Sequence, residues 1–332
     1  MIQKTYYVRS DSTDPWHNLA LEEQLLLNVQ PGQCILYLWQ NQHTVVIGRN
    51  QNAWAECRTQ ELEASGGKLA RRLSGGGAVY HDLGNLNFTF LVRSADYDVD
   101  RQLSVIRKAI RTFGLDAQKT GRNDITVDGR KISGNAFYKS GDCCYHHGTI
   151  LVGADMDHLS RYLQVSREKL QSKGVASVRS RVMNLREKCP EITIDGLCEA
   201  LVSAFAEVYG TVPGNLPEGF VNPEKLAQRT EFFSSWDWRY GTRTEMQDQA
   251  RGRFPWGGVS IHDTVRQGHI AECALWSDGL EADFLASLPE KIQGLSFDPQ
   301  TFTDFSNSFQ PESEIQGTIV RNCMDLLKNQ IA

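Results

Sequence analysis

The chain has no run of eighteen or more consecutive apolar residues in its 332 positions, which excludes a hydrophobic membrane-spanning segment. Its start, Met-Ile-Gln-Lys-Thr-Tyr-Tyr, lacks an apolar core followed by a small-residue cleavage site, so we expect no export signal and a cytoplasmic protein. The eight cysteines form no Cys-x-x-Cys pair, which argues against both a zinc site and a disulfide framework. Reduced and mostly buried thiols are the expectation. An excess of positive charge is also missing: the net charge is −5, which disfavours a general nucleic-acid binder. Lys and Arg nevertheless concentrate around 68–72 and 167–188, and a local basic patch on an acidic chain suits a small anionic ligand. The usual nucleotide loops are absent too. Gly67-Lys68 is followed by Leu69 rather than Ser or Thr, and no G-x-G-x-x-G opens a helix.

What is present is an ordinary globular composition, 40% apolar and 23% charged, over a length that predicts two domains. Asp14-Pro15 starts a helix running to about Asn28. Cys34–Trp39 and Thr44–Gly48 read as two strands joined by a turn, and Trp54–Ala64 as a helix. A strand into Arg71, strands at Ala78–Tyr80 and Asn87–Val92, and a helix over Leu103–Phe113 follow. Ile125–Val127, Asp128-Gly129 and Lys131 onward spell a hairpin, with a further strand at Thr149–Val152. Ile194–Val208 carries the clearest helical stripe. Ser234–Gln249 lacks apolar periodicity and is the linker candidate, dividing the chain into 1–245 and 246–332. Beyond it, Val259–His262 with Ile270–Trp276 predicts a hairpin, and Ile315–Leu327 a terminal helix.

Five groups of residues bear on chemistry. In Arg71-Arg72-Leu73-Ser74-Gly75-Gly76-Gly77-Ala78-Val79-Tyr80-His81-Asp82, three glycines let backbone N–H groups approach a ligand and two arginines supply planar cations. The same residues also describe a tight turn between strands with solvated arginines. Asn123, Asp124 and Lys131 flank the hairpin and can share a pocket, where Lys131 would polarise a phosphate or carboxylate oxygen and Asp124 would hold magnesium or orient the lysine. A surface ion pair is the alternative. His146 and His147 are adjacent on a strand and so point to opposite faces, which prevents joint metal ligation. Nothing around Cys143 or Cys144 supplies the base that a thiol nucleophile needs. The basic, Gly- and Ser-containing stretch from Lys173 to Arg181 has the composition of a loop over an anion, or of an ordinary charged connection.

Together these motifs resemble lipoate-protein ligase A, of the lipoyl/biotin protein ligase superfamily. The likeness rests on Arg71–Asp82, Gly121-Arg122-Asn123-Asp124, Lys131-Ile132-Ser133-Gly134-x-Ala136 and His146-His147-Gly148. It extends to Asp14-Pro15-Trp16, Thr44–Arg49, Ser177–Leu185 and, more weakly, Phe254-x-Trp256-Gly257-Gly258-Val259. The resemblance implies an α+β fold: a large catalytic domain of mixed β-sheets flanked by helices, and a small C-terminal α/β accessory domain. It implies two-step chemistry, in which lipoate and ATP with Mg2+ give lipoyl-AMP and pyrophosphate, and the acyl group then passes to a lysine. The acceptors it implies are lipoyl domains of 2-oxoacid dehydrogenase acyltransferase subunits and the glycine-cleavage H protein. Lipoate or octanoate is the acid, and the protein is expected to be a monomer without nucleic-acid or membrane partners. By motif, Arg72, Ser74, Gly77, Ala78, Val79 and Tyr80 bind ATP or the adenylate. Lys131 contacts both lipoate and phosphate as the catalytic residue, Asn123 and Asp124 lie beside it, and Asp124 is the candidate magnesium ligand. Lys173, Gly174, Ser177, Val178, Arg179 and Val182 belong to a loop over the adenylate. Tyr80 departs from a phenylalanine also familiar in the family, a change expected to be harmless. Three rivals remain: an ATP-independent lipoyl or octanoyl transferase using Cys143 or Cys144, a biotin-protein ligase, and a non-catalytic binder.

Overall fold

In a computed structural model the described residues are 2–121, 123–164, 182–241 and 248–331. The chain runs β1 (Lys4–Arg9), α1 (Pro15–Asn28), β2 (Gln33–Trp39), β3 (Thr44–Ile47), α2 (Ala53–Glu56), α3 (Thr59–Ala64), β4 (Lys68–Arg71), β5 (Val79–His81) and β6 (Asn85–Arg93). It continues with α4 (Val99–Arg111), β7 (Gln118–Thr120), β8 (Asp124–Val127), β9 (Arg130–Ser140), β10 (Cys143–Leu151) and α5 (Met156–Tyr162). After the undescribed stretch come α6 (Ile194–Tyr209), α7 (Pro223–Ser234) and α8 (Trp236–Tyr240). The last part holds β11 (Asp248–Phe254), β12 (Gly257–Arg266), β13 (His269–Ser277), α9 (Ala282–Ile292), α10 (Pro299–Ser308) and α11 (Glu314–Ile331). The fold is α+β, as expected. Among the described residues no helix is long and apolar enough to cross a membrane.

The large sheet has the order β1-β2-β6-β10-β9-β8-β7, parallel between β1 and β2 and antiparallel elsewhere. Alternation along its central strands serves both faces. Leu36, Leu38, Phe88 and Phe90 pack under α4 and α6, while Ile35, Tyr37, Leu91 and Tyr145 face α1 and α7. Helix α1 starts where the sequence placed it, because the Asp14 carboxylate accepts from the amides of Trp16 and His17. The hairpin between β8 and β9 also forms as read, with Asp128 at φ +50° and Gly129 at φ +74° in the turn.

A smaller sheet, β4-β3-β5, stands apart from the large one. Both strands read in residues 34–48 are present, and they belong to different sheets: β2 and β3 are not partners. The chain leaves one sheet for the other through Gln40–His43, and the Asn18 side chain holds that crossover by donating to the Gln40 carbonyl (2.8 Å) and the Asn41 side chain (3.0 Å). The expected helix over 54–64 is interrupted as well. Cys57 is extended at φ −137° and ψ 139° and bridges to Leu163, leaving α2 and α3. Within the expected linker, α8 packs back on the small sheet, and the Trp238 indole donates to the Arg71 carbonyl at 2.8 Å.

Strands β11–β13 form an antiparallel sheet with its own core, built from Trp256, Ile261, Leu285, Phe302, Ile319 and Met324. The sequence reading found its hairpin and last helix and missed β11, α9 and α10.

Candidate active site

A cavity of about 730 Å³ lies between the two sheets of the N-terminal part, lined by Val46 and Val79 from the small sheet and by Trp39, Asn135 and His147 from the large one. The glycine turn forms one wall. Gly76 sits at φ +92° and its N–H donates to the Gly279 carbonyl at 3.2 Å. A Cβ on Gly75 would run into that same Gly279 carbonyl, and one on Gly48 into the Gly76 carbonyl. The glycines therefore serve close packing of three backbone segments as much as approach to a ligand.

The two arginines part company. Arg71 does not line the cavity: its guanidinium donates to the carbonyls of Gly48, Arg49, Gln51, Trp238 and Arg239, fastening α8 to the small sheet. Arg72 does reach the cavity, but four of its five N–H groups are already committed. Nε donates to Ser74 Oγ and the Gly75 carbonyl, Nη1 to Val46, and Nη2 to Gly75 and Gly77, all between 2.8 and 3.2 Å. Arg72 is thus the internal brace of the glycine turn. Burial lowers its pKa to about 10, which still leaves it cationic at neutral pH.

Across the cavity, Lys131 Nζ lies 2.7 Å from Asp124 Oδ1, with both side chains about one-third exposed at 36% and 34%. The Lys-Ile-Ser-Gly spacing has a steric reason: a Cβ on Gly134 would stand 2.9 Å from Lys131 Nζ, so the lysine tail lies over the bare Gly134 backbone. Asn123 donates to the Asn135 carbonyl at 2.6 Å and fixes β8 against β9. Gly77, Ala78, Val79, Asn123, Asp124, Lys131 and Val182 all line the one cavity. Val182 is bridged to Lys131, with Met183 N donating to the Lys131 carbonyl at 2.8 Å. Lys173, Gly174, Ser177, Val178 and Arg179 lie outside the described residues, as does Arg122.

Two sequence-selected residues stand behind the lining. Tyr80 is buried, its hydroxyl 2.9 Å from His43 Nδ1 and 3.3 Å from His158 Nδ1, so a phenylalanine there would leave two imidazoles without that partner. Ser74 Oγ lies 2.8 Å from His147 Nε2, and His147 Nδ1 lies 2.9 Å from the buried Glu22 carboxylate. Sequence reasoning missed Glu22, whose signal was a carboxylate inside the apolar run of α1. It also assigned no role to His81, Leu163, Gln164, Arg253 or Asp278, which line the cavity as well.

No cysteine lines it. All eight fall among the described residues and are unpaired, seven of them buried. Cys143 Sγ takes a hydrogen bond from Arg93 at 3.0 Å on the α1 side of the sheet, and Cys144 faces the opposite core, where burial raises its pKa.

Residues 14–206 match the lipoyl protein ligase A/B catalytic domain model, and residues 243–327 match the bacterial lipoate protein ligase C-terminus. The chain belongs to the lipoyl protein ligase A/B family. One similar solved structure is P. falciparum LipL1 in complex with lipoate, 29% identical over 96% of this chain and 99% of that one, with a TM-score of 0.84. A bi-partite lipoate protein ligase from Thermoplasma acidophilum, described with its E2 lipoyl domain, is 29% identical over 74% of this chain and 99% of its own, at a TM-score of 0.61. A lipoate-protein ligase A bound with ATP is 28% identical over 73% of this chain and 99% of that one, also at 0.61.

In this member of the lipoyl ligase family two buried imidazoles, His81 in the cavity lining and His146 in the core of the large sheet, couple stability to pH. Burial drives both His81 and His146 down to about 3; Arg72 and His147 add to the effect at His81, and His147 and Lys119 at His146. In the unfolded chain both would protonate near pH 6.5. Their depressed folded values therefore contribute stability that is present above pH 6.5 and lost as pH falls toward 3. Denaturant unfolding at pH 7 and pH 5 should show a loss of about 2 kcal/mol per histidine. A midpoint that does not move would refute neutral burial of the pair.

Proposed function

We propose that this chain is an ATP-dependent lipoate-protein ligase. It activates lipoate to lipoyl-AMP, releasing pyrophosphate, and transfers the acyl group to a lysine of lipoyl domains and of the glycine-cleavage H protein. The observation that carries the reading is a cavity offering Lys131, Asp124 and a braced glycine turn while none of the eight thiols lines it. A transferase that passes the acyl group through its own cysteine needs a thiolate at the cavity. An adenylating enzyme needs fixed positive charge between two anions instead. A related lipoate-protein ligase A described with ATP, a bi-partite lipoate protein ligase described with its E2 lipoyl domain, and the similar LipL1 in complex with lipoate support the same direction.

In the first step a lipoate carboxylate oxygen attacks the α-phosphorus, and the bond to the β-phosphate oxygen breaks with its electron pair leaving on pyrophosphate. Both reactants are anions, so alignment and charge dominate the barrier. Lys131, which rests on Gly134 and pairs with Asp124, would meet the carboxylate and the α-phosphate together. Arg72 fixes the glycine turn, and Gly77, Ala78 and Val79 beside it in the cavity lining would face the nucleotide. Among the described residues no group of three or more His, Cys, Asp or Glu could hold a metal by itself. A magnesium ion bound mainly through phosphates and water needs only one or two carboxylates, and Asp124 fits that part. When bound, it would neutralise phosphate charge. In the second step the mixed anhydride is already activated, and the acceptor amine needs only proximity, deprotonation and shelter from water. Residues 173–182 are assigned to covering the adenylate on the resemblance, and the anchoring of Val182 beside Lys131 supports it.

Pyrophosphate release that depends on both lipoate and ATP tests the reading. Its absence, together with an acyl thioester trapped on a cysteine, would replace the ligase by the thiol transferase. A Cys143→Ser, Cys144→Ser double variant should keep turnover within about threefold of the parent, since neither thiol reaches the cavity. Loss of turnover in a folded double variant would restore the thiol route.

A further inference from the structure

The C-terminal sheet does more than sit beside the catalytic cavity, for two of its side chains, Arg253 and Asp278, line that cavity. Arg253, near the end of β11, pairs with Asp278, just after β13, at 3.0 Å; the side chains are 25% and 9% exposed. The arrangement is built in detail. Gly258 N donates to Asp278 Oδ1 at 2.6 Å, and a Cβ on Gly258 would stand 2.9 Å from Arg253 Nη1. The second glycine of Trp256-Gly257-Gly258 thus leaves the room in which the guanidinium lies.

The register with the glycine turn is equally fixed. Gly279 follows Asp278 directly, and its carbonyl accepts from Gly76 N. Ser277 N donates to the Asn50 carbonyl at 2.7 Å, and Asn50 Nδ2 to the Ala282 carbonyl at 2.7 Å. Arg253 is therefore a partly exposed cation in the cavity lining, fixed by Asp278, whose chain neighbour Gly279 contacts the glycine turn. Arg72, which also lines the cavity, has one N–H left beyond its brace contacts.

We infer that Arg253 is a substrate-binding residue that takes the β- and γ-phosphates of the nucleotide and stabilises pyrophosphate as it leaves. Asp278 is the positioning residue that fixes the guanidinium. A planar fork suits phosphate oxygens, and a cation fixed in place beforehand costs no reorganisation when the charge develops. The inference rests on the adenylating reading above and adds a contribution from the C-terminal sheet to it.

The test uses full-length protein and two variants, Arg253→Gln and Asp278→Asn, both of which break the ion pair while only the first removes the cation. Lipoate-dependent pyrophosphate release should fall about a hundredfold in kcat/KM for ATP in Arg253→Gln. Asp278→Asn, which retains an acceptor oxygen for Gly258 N, should stay within about fivefold. Transfer of lipoyl from supplied lipoyl-AMP to a lipoyl domain should be little changed in either, because no pyrophosphate leaves in that step. Equal losses in the two variants, equal losses in both half-reactions, or an unaffected Arg253→Gln would overturn the role. Thermal unfolding of both variants identifies a loss that is merely structural. Absence of pyrophosphate release from the parent protein would instead refute the adenylating reading itself.

Discussion

Lys131→Ala should lower lipoate-dependent pyrophosphate release by about a thousandfold or more, while the folded protein loses no more than about 1 kcal/mol. The two halves of that expectation come from one geometry. Lys131 and Asp124 are each about one-third exposed, and an ion pair so wetted contributes little to stability. The same ammonium is the fixed charge that the hairpin presents to the cavity, and a carboxylate cannot approach a triphosphate without such a charge between them. Arginine at 131 is not an equivalent, since the space over Gly134 accommodates a narrow tail. Lipoate-dependent pyrophosphate release and urea unfolding, measured on the same preparation, decide it. A folded Lys131→Ala protein that turns over near the parent rate would remove the lysine from the reaction.

Arg72→Ala should fail differently, losing activation and about 3 kcal/mol of stability together. Its guanidinium satisfies buried carbonyls of Val46, Gly75 and Gly77, and truncation leaves those acceptors without their donors. The loss is moderated because the variant no longer keeps a buried cation, whose desolvation is already visible in its lowered pKa. Arg72→Lys separates charge from shape. If the cavity needed only a positive charge at this position, lysine would restore activation. If Arg72 braces the glycine turn, lysine would not, because one ammonium cannot reproduce a fork of donors to three backbone carbonyls. We expect the second outcome in the pyrophosphate assay and a lowered urea midpoint for both variants.

Much of the cavity was legible in the sequence because local spacing encodes it. Asn123, Asp124 and Lys131 flank a two-residue Asp-Gly turn, and such a turn leaves little choice about which residues face each other. Adjacent histidines on a strand had to part, and His147 faces the cavity while His146 lies among Phe88, Phe90 and Phe137. Arg71 and Arg72 obeyed the same rule, but their destinations depended on partners far along the chain: Trp238 and Arg239 for the first, Val46 for the second. The strand pairings of 34–48 were hidden for a related reason. Two strands separated by four residues usually form a hairpin, and only the remote Asn18 side chain at the crossover shows why these do not. β11 escaped notice because Gln249–Phe254 alternates polar with small residues and carries little apolar signal. Arg253 and Asp278 come to the site through tertiary folding alone, and no spacing in the sequence announces them.

The crowding of Gly48, Gly75, Gly76 and Gly279 has a consequence for how freely the C-terminal sheet can be exchanged. Where backbones touch without intervening side chains, there is no soft layer to absorb a mismatch. A chimera carrying the C-terminal part of another chain would have to reproduce the contour around Gly279 to within a few tenths of an ångström, however well its own core folded. Separate folding of the two parts is therefore no guarantee of interchangeability: they are modular as cores but not as a joint.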